Sequence, residues 1–166
     1  MIQKLSPNFT KGRDGHEVSG IVLHITDSSL NSALDWFSRP ESQVSCHYLL
    51  GVKNGNVETY QIVKEEDTAW HAGLVVSPTW KGLKPGINPN KYTIGIETAL
   101  KVGEFPSIKL WFEVARLVKE LYLKYPLIIL DERGIANHRE IRANKTCPGS
   151  YITRSWIVNF IKLKLV

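Results

Sequence analysis

The first half of the chain alternates short apolar runs with polar turns, a pattern that predicts β-strands. Residues 20–26 form a nearly continuous apolar run, which predicts a buried strand with His24 near its end. Two more strand-like runs, 47–52 and 56–63, flank Asn54-Gly55, a pair typical of a tight β-hairpin. We expect these strands to belong to one central sheet.

Further segments extend or cover this sheet. The run 92–100 predicts another strand, and 127–130 predicts a short buried one. Residues 32–38 predict a short helix that ends at Pro40, because proline interrupts helical hydrogen bonding. Residues 69–90 contain repeated Gly and Pro and predict a long irregular loop. A loop of that length inside a compact domain is usually functional.

Helical spacing dominates the second half of the chain. One amphipathic helix is predicted from Ser107 to just before Pro126, and another over 151–166. Strands interleaved with helices predict an α/β, mixed α+β fold: one domain over 1–166, with a central sheet flanked by helices. The predicted buried stripe of the first helix is Leu110, Val114, Leu117 and Leu121, and that of the last helix is Ile152, Trp156, Phe160 and Leu163.

The composition is that of a globular protein, with 43% hydrophobic and 22% charged residues. No apolar run reaches the length of a membrane-spanning helix. The first twenty residues have no apolar core of the kind that a signal peptide needs, so we expect synthesis in the cytoplasm. Cys46 and Cys147 are therefore expected to be free thiols.

The net charge of +5 and a pI near 9.2 favour anionic partners. These include nucleic acids, anionic lipids and bacterial envelope polymers. The chain has no long block of Lys and Arg and no paired Cys-x-x-Cys motif, so we predict that it does not bind nucleic acid. We expect a monomer.

Histidines and cysteines raise the question of a metal site. A catalytic zinc ion takes three protein ligands and leaves a fourth position for water. His138 and Cys147 are nine positions apart (147 − 138), and the polar connection between them is long enough to loop back to one ion. His24, at the end of a buried strand, is a rigid third contributor. Alone, this trio is a weak hypothesis, because single histidines are more often structural than metal ligands.

Six short motifs, in order along the chain, resemble the type-2 N-acetylmuramoyl-L-alanine amidases. This family includes phage lysozyme-type amidases, peptidoglycan recognition proteins and the bacterial wall-recycling amidase. Each motif is weak evidence alone, whereas their shared order and spacing are specific. They are IVLH at 21–24, VSCHYLL at 44–50, AWHAG at 69–73, TIGIE at 93–97, NHREI at 137–141 and KTCPG at 145–149.

The resemblance implies a zinc enzyme that cuts the amide bond between N-acetylmuramic acid and L-alanine in peptidoglycan. It implies His24, His138 and Cys147 as Zn²⁺ ligands, Glu97 as the carboxylate that moves the proton, and Lys145 as the cation facing the oxyanion. The chemistry is coherent, because zinc activates water at neutral pH and a fixed cation stabilises the developing negative charge. The chain has no repeat, low-complexity tract or linker, so we expect one catalytic domain without a separate wall-binding domain.

Other residues of these motifs receive secondary roles. Trp70 and His71 are predicted to contact substrate, and His47 is predicted to be structural or to support the ligands. Some phage members have a catalytic tyrosine at the position before His47, where this chain has Cys46. A thiol does not reproduce the donor geometry or the pKa of a phenol, so the proton chemistry is expected to rest on Glu97.

Several alternatives stay open at the level of sequence. The leading expectation is a phage-type endolysin, made in the host cytoplasm, that acts on the cell wall after release. The alternatives are a cytosolic amidase that recycles anhydromuropeptides, a non-catalytic peptidoglycan-binding module, and a glycosidase that uses Glu97 as its acid. A further hypothesis is membrane contact through the last helix, with Lys162 and Lys164 beside its apolar face.

Overall fold

The computed structural model describes residues 1–163, and within them the chain forms one six-stranded mixed sheet, a two-stranded ribbon and three α-helices. The strands are β1 (Ile2–Gln3), β2 (Phe9–Thr10), β3 (Gly20–Ile25), β4 (Tyr48–Lys53), β5 (Asn56–Gln61), β6 (Thr68–Ala69), β7 (Thr93–Thr98) and β8 (Ile135–Asn137). The α-helices are α1 (Leu30–Ser38), α2 (Ile108–Lys124) and α3 (Arg154–Lys162), and 3₁₀ turns cover Pro40–Ser42, Pro89–Lys91 and His138–Glu140.

The main sheet has the strand order β1-β5-β4-β7-β3-β8. All neighbouring pairs are parallel except β4 and β5, which form the predicted hairpin. Its turn is built by Asn54 and Gly55, both with positive φ of 50° and 78°, as a tight hairpin turn requires. The mixed α+β fold expected from the sequence is therefore confirmed.

The two faces of the sheet are covered differently. The side chains of successive β3 residues lie on opposite faces of the sheet. Ile21 and Leu23 belong to the core under α2 and α3, whereas Val22 belongs to a smaller core under the 70–88 loop. Helix α1 covers the same face as that loop at the β4–β5 end, where Leu49 and Tyr60 pack against it. Because His24 alternates with Leu23, it lies on the loop face.

Helix α2 follows the predicted amphipathic pattern. Helix α2 begins after Ser107, whose side chain accepts a hydrogen bond from the Leu110 N–H, and it ends two residues before Pro126. Its predicted stripe is buried in full against the sheet: Leu110, Val114, Leu117 and Leu121.

The predicted strand over 127–130 is wrong. The segment turns back on itself, and Leu127 and Ile129 are 48% and 44% exposed. The sheet edge beside β3 is instead occupied by β8, within a polar stretch whose sequence does not predict a strand. The turn is packed so tightly that a Cβ atom on Gly134 would lie 2.0 Å from the Ile129 carbonyl oxygen.

The predicted buried face of the last helix is also wrong in part. Helix α3 begins after Thr153, and its buried residues are Ile157, Val158 and Ile161. Trp156 is 48% exposed, and its ring packs sideways on Trp111, with ring centroids 4.9 Å apart. The buried stripe is therefore rotated by about one residue relative to the predicted one. Aromatic residues pack in the interface between α2 and α3. Ile152, from the predicted stripe, is buried just ahead of the helix, whereas Leu163 is 69% exposed.

No helix among residues 1–163 combines the length and the apolar character needed to cross a bilayer. Lys164, which the membrane-contact hypothesis invokes, lies outside the described residues.

This rotated face gives a stability prediction. Truncating Ile157, which is 1% exposed, to Ala should lower the free energy of unfolding by about 2–5 kcal/mol. The matched change Leu163→Ala, at a side chain that is 69% exposed, should change it by less than about 0.5 kcal/mol. Urea unfolding followed by circular dichroism measures both, and equal losses would contradict the observed face.

Candidate metal centre

Parallel strand pairing brings the chemical groups of three strands to one edge of the sheet. In the register of β3 and β7, His24 lies opposite Glu97. In the register of β3 and β8, Leu23 lies opposite Asn137, so His138 follows at the same edge. Groups that are far apart in sequence thus meet where the carboxyl ends of parallel strands align.

The turn that carries His138 is held by charged hydrogen bonds. The side chains of Asn137 and Glu140 form a capping box, and Glu140 Oε2 accepts from the Asn137 N–H at 2.7 Å. The Arg154 Nη1 donates to both oxygens of Glu140 at 2.8 Å each, which anchors the turn to α3. The position of His138 is therefore set by groups that do not face the cleft.

Cys147 is placed beside the end of β3 by backbone contacts. The Arg139 N–H donates to the Cys147 carbonyl oxygen at 2.9 Å and closes the polar loop that the sequence analysis anticipated. The Ile25 N–H donates to Cys147 Sγ at 3.2 Å. Such a bond favours the thiolate over the thiol, although burial raises the pKa of Cys147 above its ordinary value. Cys46 and Cys147 are both free, as expected.

Donor atoms of His24, His138 and Cys147 lie within 4.8 Å of one another. Within residues 1–163 they are the one group of at least three His, Cys, Asp or Glu side chains close enough to hold a metal ion. Two imidazoles and a thiol are a borderline-soft donor set, and three protein ligands leave a position for water. The residues present therefore fit a catalytic zinc ion.

Burial favours the neutral form of both histidines, and a hydrogen bond occupies one ring nitrogen of each. Burial lowers the pKa of His24 well below its ordinary value and that of His138 to about 4. The His138 Nε2–H donates to the Ala72 carbonyl at 3.1 Å, which leaves Nδ1 as its lone-pair nitrogen. His24 Nε2 lies 3.2 Å from His71 Nδ1, so the free nitrogen of His24 is again Nδ1.

Glu97 lies next to the donor group. Its Oε1 is 3.9 Å from His24 Nδ1, and its Oε2 is buried without a hydrogen-bond partner among the described residues. Burial raises the pKa of Glu97 to about 8. The same burial makes the ionised carboxylate of Glu97 a stronger base than an exposed glutamate, so its unpartnered oxygen is suited to accept a proton from a water molecule.

A cleft of about 610 Å³ opens over the three donors. Lys145 lies on its rim, exposed to solvent, and its positive charge contributes to the lowered pKa values of His24 and His138. Trp36 and Val102 supply apolar walls. The cleft thus joins a metal-binding group, a carboxylate and a cation to apolar surface.

Every predicted site residue lines the same cleft, but the residues differ in exposure and in hydrogen-bond partners. Trp70 lines the cleft and its Nε1–H donates to Thr10 Oγ1 at 3.0 Å. His71 also lines the cleft, is 8% exposed, and its Nδ1 lies 3.2 Å from His24 Nε2. The substrate-binding roles of Trp70 and His71 stay predictions. His47 is fully buried and accepts a bond from the Gly95 N–H, which agrees with the structural role expected for it.

Several supporting residues were not found from the sequence. The spacing of Asn137 and Glu140 is a capping-box pattern that could have indicated the His138 turn. Thr93, Asn90 and Arg13 act through contacts with distant segments, and no local pattern indicates them.

A comparison with protein families finds that residues 14–150 match the family described as N-acetylmuramoyl-L-alanine amidase. The match covers most of the chain and includes all three metal-donor residues. The chain belongs to this amidase family.

Individual amidases and related structures are similar to parts or all of this chain. N-acetylmuramoyl-L-alanine amidase A of Achromobacter lyticus is 34% identical over 82 residues, which are 49% of this chain and 37% of that protein. The match therefore spans well under half of that relative's length.

Solved structures share the fold. A selenomethionine derivative of AmpD has a TM-score of 0.74 at 22% identity, covering 94% of this chain and 91% of AmpD. A mutant endolysin from Bacillus subtilis has a TM-score of 0.62 at 22% identity, covering 99% and 96%. Escherichia coli AmiD, in complex with anhydro-N-acetylmuramic acid-L-Ala-D-γ-Glu-L-Lys, has a TM-score of 0.67 at 24% identity, covering 86% and 56%.

The role of Glu140 in anchoring the His138 turn can be tested by measuring the free energy of unfolding of a variant protein. Glu140→Ala should lower the free energy of unfolding by about 1–3 kcal/mol, because the half-buried Arg154 loses its ion-pair partner and the Asn137 N–H loses its acceptor. The control Glu113→Ala breaks an exposed ion pair with Arg116 and should cost less than about 1 kcal/mol. Chemical denaturation compares the two, and a Glu140→Ala cost no larger than that of the control would refute the anchoring role.

Proposed function

We propose that the chain is a zinc-dependent amidase that hydrolyses the bond between N-acetylmuramic acid and L-alanine in peptidoglycan. The observation that carries this proposal is the convergence of His24, His138 and Cys147 on one cleft beside Glu97. Family membership adds the bond, since the family is described by that amidase activity.

Zinc held by His24 Nδ1, His138 Nδ1 and Cys147 Sγ would supply Lewis acidity, which makes water nucleophilic at neutral pH and polarises an amide carbonyl. Glu97 faces the same space with an unpartnered Oε2. This oxygen takes the proton from the attacking water and transfers it to the leaving amine of L-alanine. The proton transfer is needed because without it the nitrogen would have to leave as a strongly basic amide anion.

Lys145 stabilises the charge that develops on the carbonyl oxygen. It stands two residues before Cys147, on the rim of the cleft. A cation beside the place where negative charge forms during the reaction stabilises the transition state. Trp70 and the apolar cleft walls hold the sugar and peptide around the bond.

Two variants separate metal binding from proton transfer. Cys147→Ser should lose zinc and activity together, whereas Glu97→Gln should keep zinc and lose about 10²- to 10⁴-fold in turnover. Zinc is measured by atomic absorption on the dialysed protein, and turnover by the release of free L-alanine amino termini. Cys46→Ala is the matched control for the thiol, because Cys46 is buried in the core under α1, and it should keep zinc.

Zinc-free wild-type protein with full activity would overturn this proposal. Products with new reducing ends and no free amino termini would assign a glycosidase instead, whose activity would persist in a strong chelator.

We further propose that the chain acts as an endolysin-type amidase on intact peptidoglycan. Its net charge of +5 suits an anionic cell-wall polymer, and its cleft is open to solvent at Lys145. The alternative is an amidase for soluble anhydromuropeptides, the class of ligand seen in the structure of AmiD. The two roles share one chemistry and differ in the size of the substrate.

Substrate size therefore decides the role. The wild-type protein should release amino termini from purified sacculi with a kcat/KM at least equal to that for a soluble anhydromuramoyl tripeptide. Raising the salt concentration should slow the reaction on sacculi more than that on the soluble substrate, because salt screens long-range attraction to the polymer. A strong preference for the soluble substrate would replace the endolysin role with the alternative.

A further inference from the structure

We propose that Thr93 and His71 form a hydrogen-bond relay that fixes the tautomer of His24, so that His24 presents its Nδ1 lone pair to the metal. This inference rests on the proposed function in one respect, the metal that His24 would bind. The relay itself is a property of the protein without metal. It assigns Thr93 and His71 as positioning residues that act through His24.

The direction of the relay starts at Thr93. Its Oγ1 lies 2.7 Å from the Pro89 carbonyl oxygen, and two oxygens that close need a proton between them. A carbonyl only accepts, so the hydroxyl donates to Pro89. Its single proton is then used, and toward His71 the hydroxyl oxygen is an acceptor.

The acceptor role of the Thr93 hydroxyl determines which ring nitrogen of His71 carries the proton. Its Nε2 lies 3.2 Å from Thr93 Oγ1 and must donate to it, so Nε2 carries the proton of the neutral ring. The other nitrogen, Nδ1, is therefore an acceptor. It lies 3.2 Å from His24 Nε2, which donates and so carries the proton of His24. Nδ1 of His24 is left with a lone pair.

The relay is buried and tightly seated. Thr93 is fully buried, His24 is 1% exposed and His71 is 8% exposed, so water does not compete for these bonds. The ring of His71 packs against Gly95, because a Cβ atom at residue 95 would be 2.4 Å from His71 Cγ. The backbone N–H of His71 also donates to Asn90 Oδ1, which holds the segment around residue 71 in place.

The two histidine ligands therefore reach the same tautomer by different routes. His138 is set by one backbone carbonyl, that of Ala72, which has only one possible polarity. His24 is set by another histidine, whose polarity would be ambiguous without Thr93. A partner on the outer nitrogen orients a ligating imidazole and commonly governs metal affinity.

The test begins with the metal-free wild-type protein. Long-range ¹⁵N–¹H correlation spectra should show the proton of His24 on Nε2 and that of His71 on Nε2. Thr93→Val keeps the shape of the side chain but removes the hydroxyl, so His71 loses its fixed polarity. The spectrum of this variant should show a mixture of tautomers for His24.

Zinc affinity gives the second reading. Measured by competition with a chromophoric chelator, the Kd should rise about 10- to 100-fold in Thr93→Val, whereas Thr93→Ser should restore it to within about threefold. The near-ultraviolet circular dichroism of each variant checks its fold. Thr93→Val that is folded and keeps the wild-type tautomer and Kd would overturn the relay.

The spectra also separate this inference from the proposed function. A metal-free wild-type protein with the His24 proton on Nδ1 would refute the relay even if the enzyme were active. A protein with the predicted tautomers that did not bind zinc would instead refute the zinc amidase proposal.

Discussion

The parallel register of β7, β3 and β8 is the constraint on which the site depends. In parallel strands the hydrogen-bond ladder fixes the axial position of each residue, so His24 and Glu97 stand side by side although 73 positions separate them (97 − 24). The same ladder ends β8 at Asn137 and delivers His138 one residue later. Cys147 needs no strand, because a closed polar loop returns it to the end of β3.

This arrangement is stable only if the buried polar groups next to the metal donors have hydrogen-bond partners within the protein. Arg13 donates to the carbonyl oxygens of Asn90 and Thr93, and Asn90 Oδ1 accepts from the Ala72 N–H at 2.8 Å. The Ala72 carbonyl in turn orients His138. A buried cation near the start of the chain is thus connected to a metal donor near its end. A cation bound by the site would stabilise the folded state, since the donors converge only after folding.

The sequence predicted the parts of this arrangement that are local. Motif spacing and apolar runs located the three metal donors, the hairpin and α2. It failed where the outcome depends on long-range pairing. Residues 127–130 have the apolar content of a strand, but the edge of β3 is occupied by β8, which needs only three residues because β3 supplies its ladder. Thr93 is one threonine in a strand until the fold places His71 against it.

The burial of Cys46 shows how the fold assigns the proton chemistry. Cys46 is fully buried among the apolar residues under α1, outside the cleft lining and the donor group. Two carboxylates line the cleft, Asp27 and Glu97. Asp27 accepts a bond from the Val102 N–H and so holds a loop in place. Glu97 alone of the two has a buried oxygen without a partner among the described residues, so it is the group equipped to exchange a proton with water.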